Sequence, residues 1–169
     1  MSFEAFEVHL NPTPTSCLCC GMDLLILDEV MCMVQARWPE FRPDEVEIAR
    51  LYTPLQPNER LFVHETAAGL IQLSARLDLA NGCLVMALRF AYCNPPSVQE
   101  LFCNMVEWLM QRYQLSCHIA ADLAPEHQSE PDDVSTTDKI RELLMSSISY
   151  NRKLWHRPRS FRIGIGALA

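Results

Sequence analysis

Apolar and polar positions alternate most cleanly around Asn81-Gly82, a dipeptide suited to the positive φ angles of a two-residue type I′ turn. Pairing Ala80 with Cys83 and moving outward sets Leu79 against Leu84, Leu77 against Met86, Ala75 against Leu88, Leu73 against Phe90 and Ile71 against Tyr92. These pairs share one apolar face. Asp78, Arg76, Ser74 and Gln72 fall on the other, opposite Val85, Ala87, Arg89 and Ala91. A one-residue slip would exchange the faces, and each large apolar side chain so exposed forfeits roughly 1.5–3 kcal/mol of burial. The pattern predicts a hairpin.

Beyond Cys93 the period changes. Asn94-Pro95-Pro96 stops the strand, and Ser97-Val98-Gln99-Glu100 has the form of a capping box, so a helix is expected from about Val98. Its stripe of Val98, Leu101, Phe102, Met105, Val106, Leu109 and Tyr113 suits the apolar face of the hairpin. Met22 to Arg37 also reads as helix, with a broad apolar face of Ile26, Leu27, Val30, Met31, Met33 and Val34 and a smaller strip of Leu25, Cys32 and Ala36. A helix this apolar needs two contact surfaces, which predicts a central core helix, with self-association through the smaller strip as the alternative.

Further strands are expected at Phe6–Leu10, Glu45–Tyr52, Arg60–Glu65 and Cys117–Leu123, and a third helix from about Asp138 to Tyr150, striped by Ile140, Leu143, Leu144 and Ile148. Runs of strands separated by single helices predict an α+β two-layer sandwich: a mainly antiparallel sheet of about five or six strands with helices packed on one face. Three regions follow. Residues 1–123 form the body, residues 124–137 an acidic linker carrying Glu126, Glu130, Asp132 and Asp133, and residues 138–169 the last helix with a basic, aromatic tail.

Charge sharpens this division. Residues 1–138 carry seven basic and twenty acidic side chains, net −13, whereas residues 139–169 carry seven and one, net +6. A composition of 49% hydrophobic and 21% charged residues is that of a globular chain and excludes a disordered one. The acidic start, Met1 to Glu7, lacks the basic region and apolar run of a secretory signal, and no apolar run is long enough to span a bilayer. The expected location is cytoplasmic, in a bacterial setting, and the eight cysteines are expected to be reduced.

Candidate chemistry is sparse. Cys17 and Cys20 have a C-x2-C spacing that suits Zn²⁺, but no second pair completes a closed site short of distant ligands such as His9 or Cys32. Neither Lys nor Arg lies near Cys17, Cys19 and Cys20 to stabilise a thiolate, so reduced, unreactive thiols are expected there and no metal or cofactor is assigned. Cys83, Cys93, Cys103 and Cys117 read as packing residues. His64 or His118 would supply a base to a thiol, without a local signature to pair them. His118 and Asp122 share a strand face about 13 Å apart, too far for a hydrogen bond. Glu45 and Glu47 read as solvated strand surface, and Gly164-Ile165-Gly166 lacks the third glycine and following helix of a phosphate loop.

The tail is the remaining candidate. Arg152, Lys153, Arg157, Arg159 and Arg162 interleave with Trp155 and Phe161, a mixture able to bind single-stranded nucleic acid through charge and stacking. The acidic body repels a polyanion, however, and attracts the tail itself. The expected function is a non-catalytic protein-binding or adaptor module whose tail docks on the body, on a second copy in a homodimer or on a protein partner. A nucleic-acid-associated protein is the first alternative, and a thiol enzyme or zinc protein using Cys17 and Cys20 the second. In element order and charge the chain resembles secretion-chaperone and toxin-immunity modules, without a residue motif that ties it to either.

Overall fold

The computed structural model describes residues 5–13, 24–45, 55–66, 69–119, 133–134 and 137–155. Among these residues seven strands and three helices appear in the order β1 (Ala5–Pro12), α1 (Leu25–Arg37), β2 (Phe41–Pro43), β3 (Glu59–Thr66), β4 (Gly69–Asp78), β5 (Cys83–Ala91), α2 (Pro96–Tyr113), β6 (Leu115–Ile119), β7 (Asp133–Val134) and α3 (Thr137–Trp155). One sheet holds all seven strands in the order β2-β3-β4-β5-β1-β6-β7. Every neighbouring pair is antiparallel, and the fold is α+β. The two outermost strands are only three and two residues long, which is why alternation did not reveal β2 or β7.

Period-two alternation divides the sheet into two faces. Phe6, Val8 and Leu10 of β1, Phe62 of β3, Ile71, Leu73, Ala75 and Leu77 of β4, and Leu84, Met86, Leu88 and Phe90 of β5 are buried in one cluster. Phe102 of α2 meets Phe6 and Phe90 edge-on, with ring centroids 6.1 and 5.4 Å apart. The same cluster takes in Leu27, Val30 and Val34 from α1 and Ile140, Leu143, Leu144 and Ile148 from α3. The stripe expected on the third helix is therefore wholly buried.

The hairpin forms with its faces as expected and its register shifted by two residues. Asp78 pairs with Cys83, Leu77 with Leu84, Ala75 with Met86, Leu73 with Leu88 and Ile71 with Phe90. A slip of two keeps every side chain on its face, so burial does not oppose it. The turn decides the register. The Asp78 carboxylate accepts hydrogen bonds from the Ala80 N–H at 3.0 Å and from Asn81 Nδ2 at 2.7 Å, closing a loop over residues 79–82. Within it only Gly82 has positive φ, at 63°, whereas a type I′ turn needs two such residues. Leu79, expected opposite Leu84, stands 68% exposed.

Four other expectations change. The helix α2 begins at Pro96 behind an extended Pro95 and has no side-chain cap, so Ser97-Val98-Gln99-Glu100 is not a capping box. Glu100 instead accepts a hydrogen bond from Arg141 of α3 at 3.1 Å, and the approach of that helix turns Gln99 and Cys103 into buried positions. Helix α1 is not a core helix on all sides: Leu25 is 70% exposed, and Cys32 and Ala36 are exposed with it. Helix α3 runs five residues past Tyr150, so Arg152, Lys153 and Trp155 lie on a helix rather than in a tail. At Glu45 the backbone is helical, and the rest of the strand expected through Tyr52 lies outside the described residues, as do residues 120–123 of the last expected strand.

Asn94 fastens the junction between sheet and α2. Its buried amide donates from Nδ2 to the Leu70 carbonyl at 2.7 Å and accepts at Oδ1 from the Leu70 N–H at 2.8 Å, as a neighbouring strand would. A Cβ on Gly69 would lie 2.6 Å from Asn94 Oδ1, so only glycine leaves room for this clasp.

Replacing Asn94 by Ala orphans a donor and an acceptor at once and is expected to cost about 1–3 kcal/mol, while Phe102→Ala should cost about 3–5 kcal/mol; chemical denaturation checks both. At the turn, Asn81 and then Ala80 hold the Asp78 carboxyl below its ordinary 3.8. Its contribution is thus present above that value and lost as pH falls through the depressed one. Amide exchange at Ala80 should accelerate across that acidic range and show no such step in Asp78→Asn.

Candidate functional site

Among the described residues, exposed chemistry gathers in two places. The first is where the C-terminal end of α1 meets the last two turns of α2. The N–H of Trp38 caps α1 on the Val34 carbonyl, which holds its indole beside Trp108 of α2. The two indoles meet perpendicularly at 5.3 Å, and Trp108 meets Tyr113 at 6.4 Å and 89°. Arg37 lays its guanidinium over both indoles, 5.3 Å from the Trp38 centroid and 5.7 Å from that of Trp108.

All three rings are half-buried and Arg37 is exposed. Beside them Arg112 of α2 reaches Glu29 of α1 at 3.5 Å. Burial, helped by the Glu29 carboxylate, pushes the Tyr113 hydroxyl above its usual 10, so it stays neutral at physiological pH. Perpendicular rings leave their negative faces open to cations, each such contact being worth about 0.5–1 kcal/mol at an exposed site. The exposed strip of Leu25, Cys32 and Ala36 belongs to the same helix α1. Trp, Tyr and Arg together are the residue types that dominate binding energy at protein interfaces.

The second place is the sheet face opposite the core. Rows of side chains cross the strands there. Glu7 stands opposite Arg89, Arg89 opposite Gln72, and Gln72 opposite Val63. The next row runs from His118 through His9, Ala87 and Ser74 to Leu61. A third brings Val85 against Arg76 and Arg76 against Glu59. Two hydrogen bonds and an ion pair string the first row together: Gln72 donates to the buried Asp44 at 2.9 Å and Arg89 to Gln72 at 3.4 Å, while Arg89 Nε lies 3.2 Å from the Glu7 carboxylate as an ion pair. His9 Nε2 meets the other Glu7 oxygen at 2.9 Å.

Because Ala87 and Ser74 are small, the middle row sinks into a trough of about 380 Å³, walled by Glu7, Val85 and Arg76 and closed toward Leu61 and Leu55. Ser74 and His9 are two strands apart, about 10 Å, so they do not form a nucleophile–base pair. Ser116 Oγ lies 3.3 Å from His118 Nε2 and also 3.3 Å from the Asn11 carbonyl, to which it donates.

The residues singled out from sequence are distributed differently. Arg152, Lys153 and Trp155 fall on the last turns of α3; Arg157, Arg159, Phe161 and Arg162 lie outside the described residues, as do Cys17, Cys19, Cys20, Glu47, Asp122 and Gly164 to Gly166. Of the cysteines read as packing residues, Cys103 and Cys117 are buried and Cys83 is half-buried, but Cys93 is exposed. His64 is buried against Phe41 and faces away from the trough. Among the described residues no three His, Cys, Asp or Glu side chains converge to hold a metal ion, and no helix is long and apolar enough to cross a membrane. No protein-family model, curated protein or solved structure matches the chain.

Thiol chemistry provides a direct check of this arrangement. Burial pushes the Cys103 thiol up to about 11, against a smaller opposing effect of Arg141. At pH 8 only about one Cys103 in a thousand is then thiolate. Iodoacetamide labelling of the native protein, read by mass spectrometry, should mark Cys32 and Cys93 and spare Cys103 and Cys117 until denaturant is added.

Proposed function

We propose that this protein is a non-catalytic protein-binding module, and that it docks an arginine-bearing segment on the aromatic surface of Trp38, Trp108 and Tyr113. The observation that carries this reading is the seating of Arg37 across two perpendicular, half-exposed indoles. A cluster that already accepts one guanidinium has the chemistry to accept another, and side-chain aromatics left partly in water gain most when a partner covers them.

The chain itself supplies the most immediate source of such a segment. Arg157, Arg159 and Arg162 give residues 156–169 a net charge of +3, against −10 for residues 1–155. Docking of that stretch, on the same body or on a second copy, brings opposite charges together and makes the adaptor self-complementary. Helical continuation through Trp155 moves the start of the docking segment to residue 156. The alternative in which the basic stretch binds nucleic acid is opposed by the net −10 of residues 1–155, which repels a polyanion over the Debye length of about 8 Å.

Sedimentation velocity and thermal unfolding of the full chain, a form ending at Trp155, Arg37→Ala and Trp38→Ala test the proposal. Truncation and Trp38→Ala are each expected to weaken self-association about thirtyfold, as for loss of a 2 kcal/mol hot spot, or to lower the unfolding temperature of a monomer in which docking is internal. Unchanged mass and unchanged unfolding temperature in every variant would overturn it, and so would tight, salt-sensitive oligonucleotide binding that disappears with residues 156–169.

A further inference from the structure

The trough on the sheet face opposite the core is independent of the aromatic surface and has its own recognition logic. Its floor is Ala87 and Ser74, its sides include Val85, and Leu61 and Leu55 close one end. From His9 to Leu61 it crosses three strand spacings, about 14 Å. A volume of about 380 Å³ lies in the range of small-molecule sites, which pair apolar walls with a few fixed polar groups.

The charges around it are not equally available. Glu7 is committed to Arg89 and His9, which leaves that wall neutralised and held in place. On the opposite wall Arg76 and Glu59 stand directly across from each other on β4 and β3 and both line the trough. Neither side chain makes a hydrogen bond or ion pair among the described residues. Arg60, which also lines the trough, is held by Asp28, so the rim above the Ala87 and Ser74 floor keeps the Arg76 guanidinium, attracted by Asp78 on its own strand but not hydrogen-bonded, and the Glu59 carboxylate.

We infer that the trough binds a small zwitterion, an α-amino acid with an apolar side chain. Its carboxylate pairs with Arg76, in the fork geometry that guanidinium offers. Its ammonium pairs with Glu59, and its side chain lies over Ala87 against Val85 and Leu61. A simple anion would meet Glu59 and a simple amine would meet Arg76; only a ligand carrying both charges satisfies both groups. The Ser74 hydroxyl supplies one further hydrogen bond to the bound carboxylate.

Titration calorimetry of the full chain with L-phenylalanine, 3-phenylpropanoate and 2-phenylethylamine tests this directly. L-Phenylalanine should bind, and each one-charge analogue should bind at least about tenfold more weakly. Arg76→Gln should abolish the advantage over the amine, Glu59→Gln the advantage over the carboxylate, and both side chains stand on the sheet face away from the core, where substitution leaves the core intact. Absence of L-phenylalanine binding at millimolar concentration, equal binding of all three compounds, or binding indifferent to both substitutions would overturn the proposal.

Discussion

One phenylalanine ring, that of Phe102, touches Phe6 on the first strand and Phe90 at the end of the hairpin, and so joins three parts of the chain that are far apart in sequence. Burial of this face is what the remaining structure depends on. Once Phe6, Val8 and Leu10 point inward, alternation sends Glu7 and His9 outward, and the insertion of β1 between β5 and β6 sets them beside Arg89 and His118. The polar track across the sheet is thus a by-product of the hydrophobic register, and a single register fixes both core and trough.

The ion pairs play a lesser part. Arg42 with Glu65, Arg60 with Asp28 and Arg141 with Glu100 are each partly open to water, where such pairs contribute little net stability. Their role is to favour one arrangement over others: Arg60 ties β3 to α1, and Arg141 ties α3 to α2. The Asn94 clasp differs because it is buried and doubly hydrogen-bonded, so its loss leaves polar groups without water.

How much of this can be read in the residues depends on the range of the interaction. Facing within β4 and β5, the existence of α2 and the buried stripe of α3 are local, periodic properties and are plain in the sequence. Register is not, because a two-residue slip preserves every face, and with it goes the trough: Ala87 had to move from opposite Arg76 to opposite Ser74 before two small side chains lay side by side. The carboxylate of Asp78, rather than the Asn81-Gly82 dipeptide, was the deciding signal. The pairing of Trp38 with Trp108 joins residues seventy positions apart and leaves no local mark. The basic residues past Tyr150 suggest a tail by their charge, yet Asn151 to Trp155 are compatible with helix and continue it.

The place of β1 has a consequence for how the chain is made. It is synthesised before both of its partners, residues 83–91 and 115–119, so it cannot be paired on both sides until the chain through residue 119 has left the ribosome. At a synthesis rate of about 5–20 residues per second, its neighbours on the sheet follow it by several seconds or more. During that interval Phe6, Val8 and Leu10 have no completed sheet to enter, and the polar Glu7 and His9 that alternate with them disfavour pairing with the wrong strand.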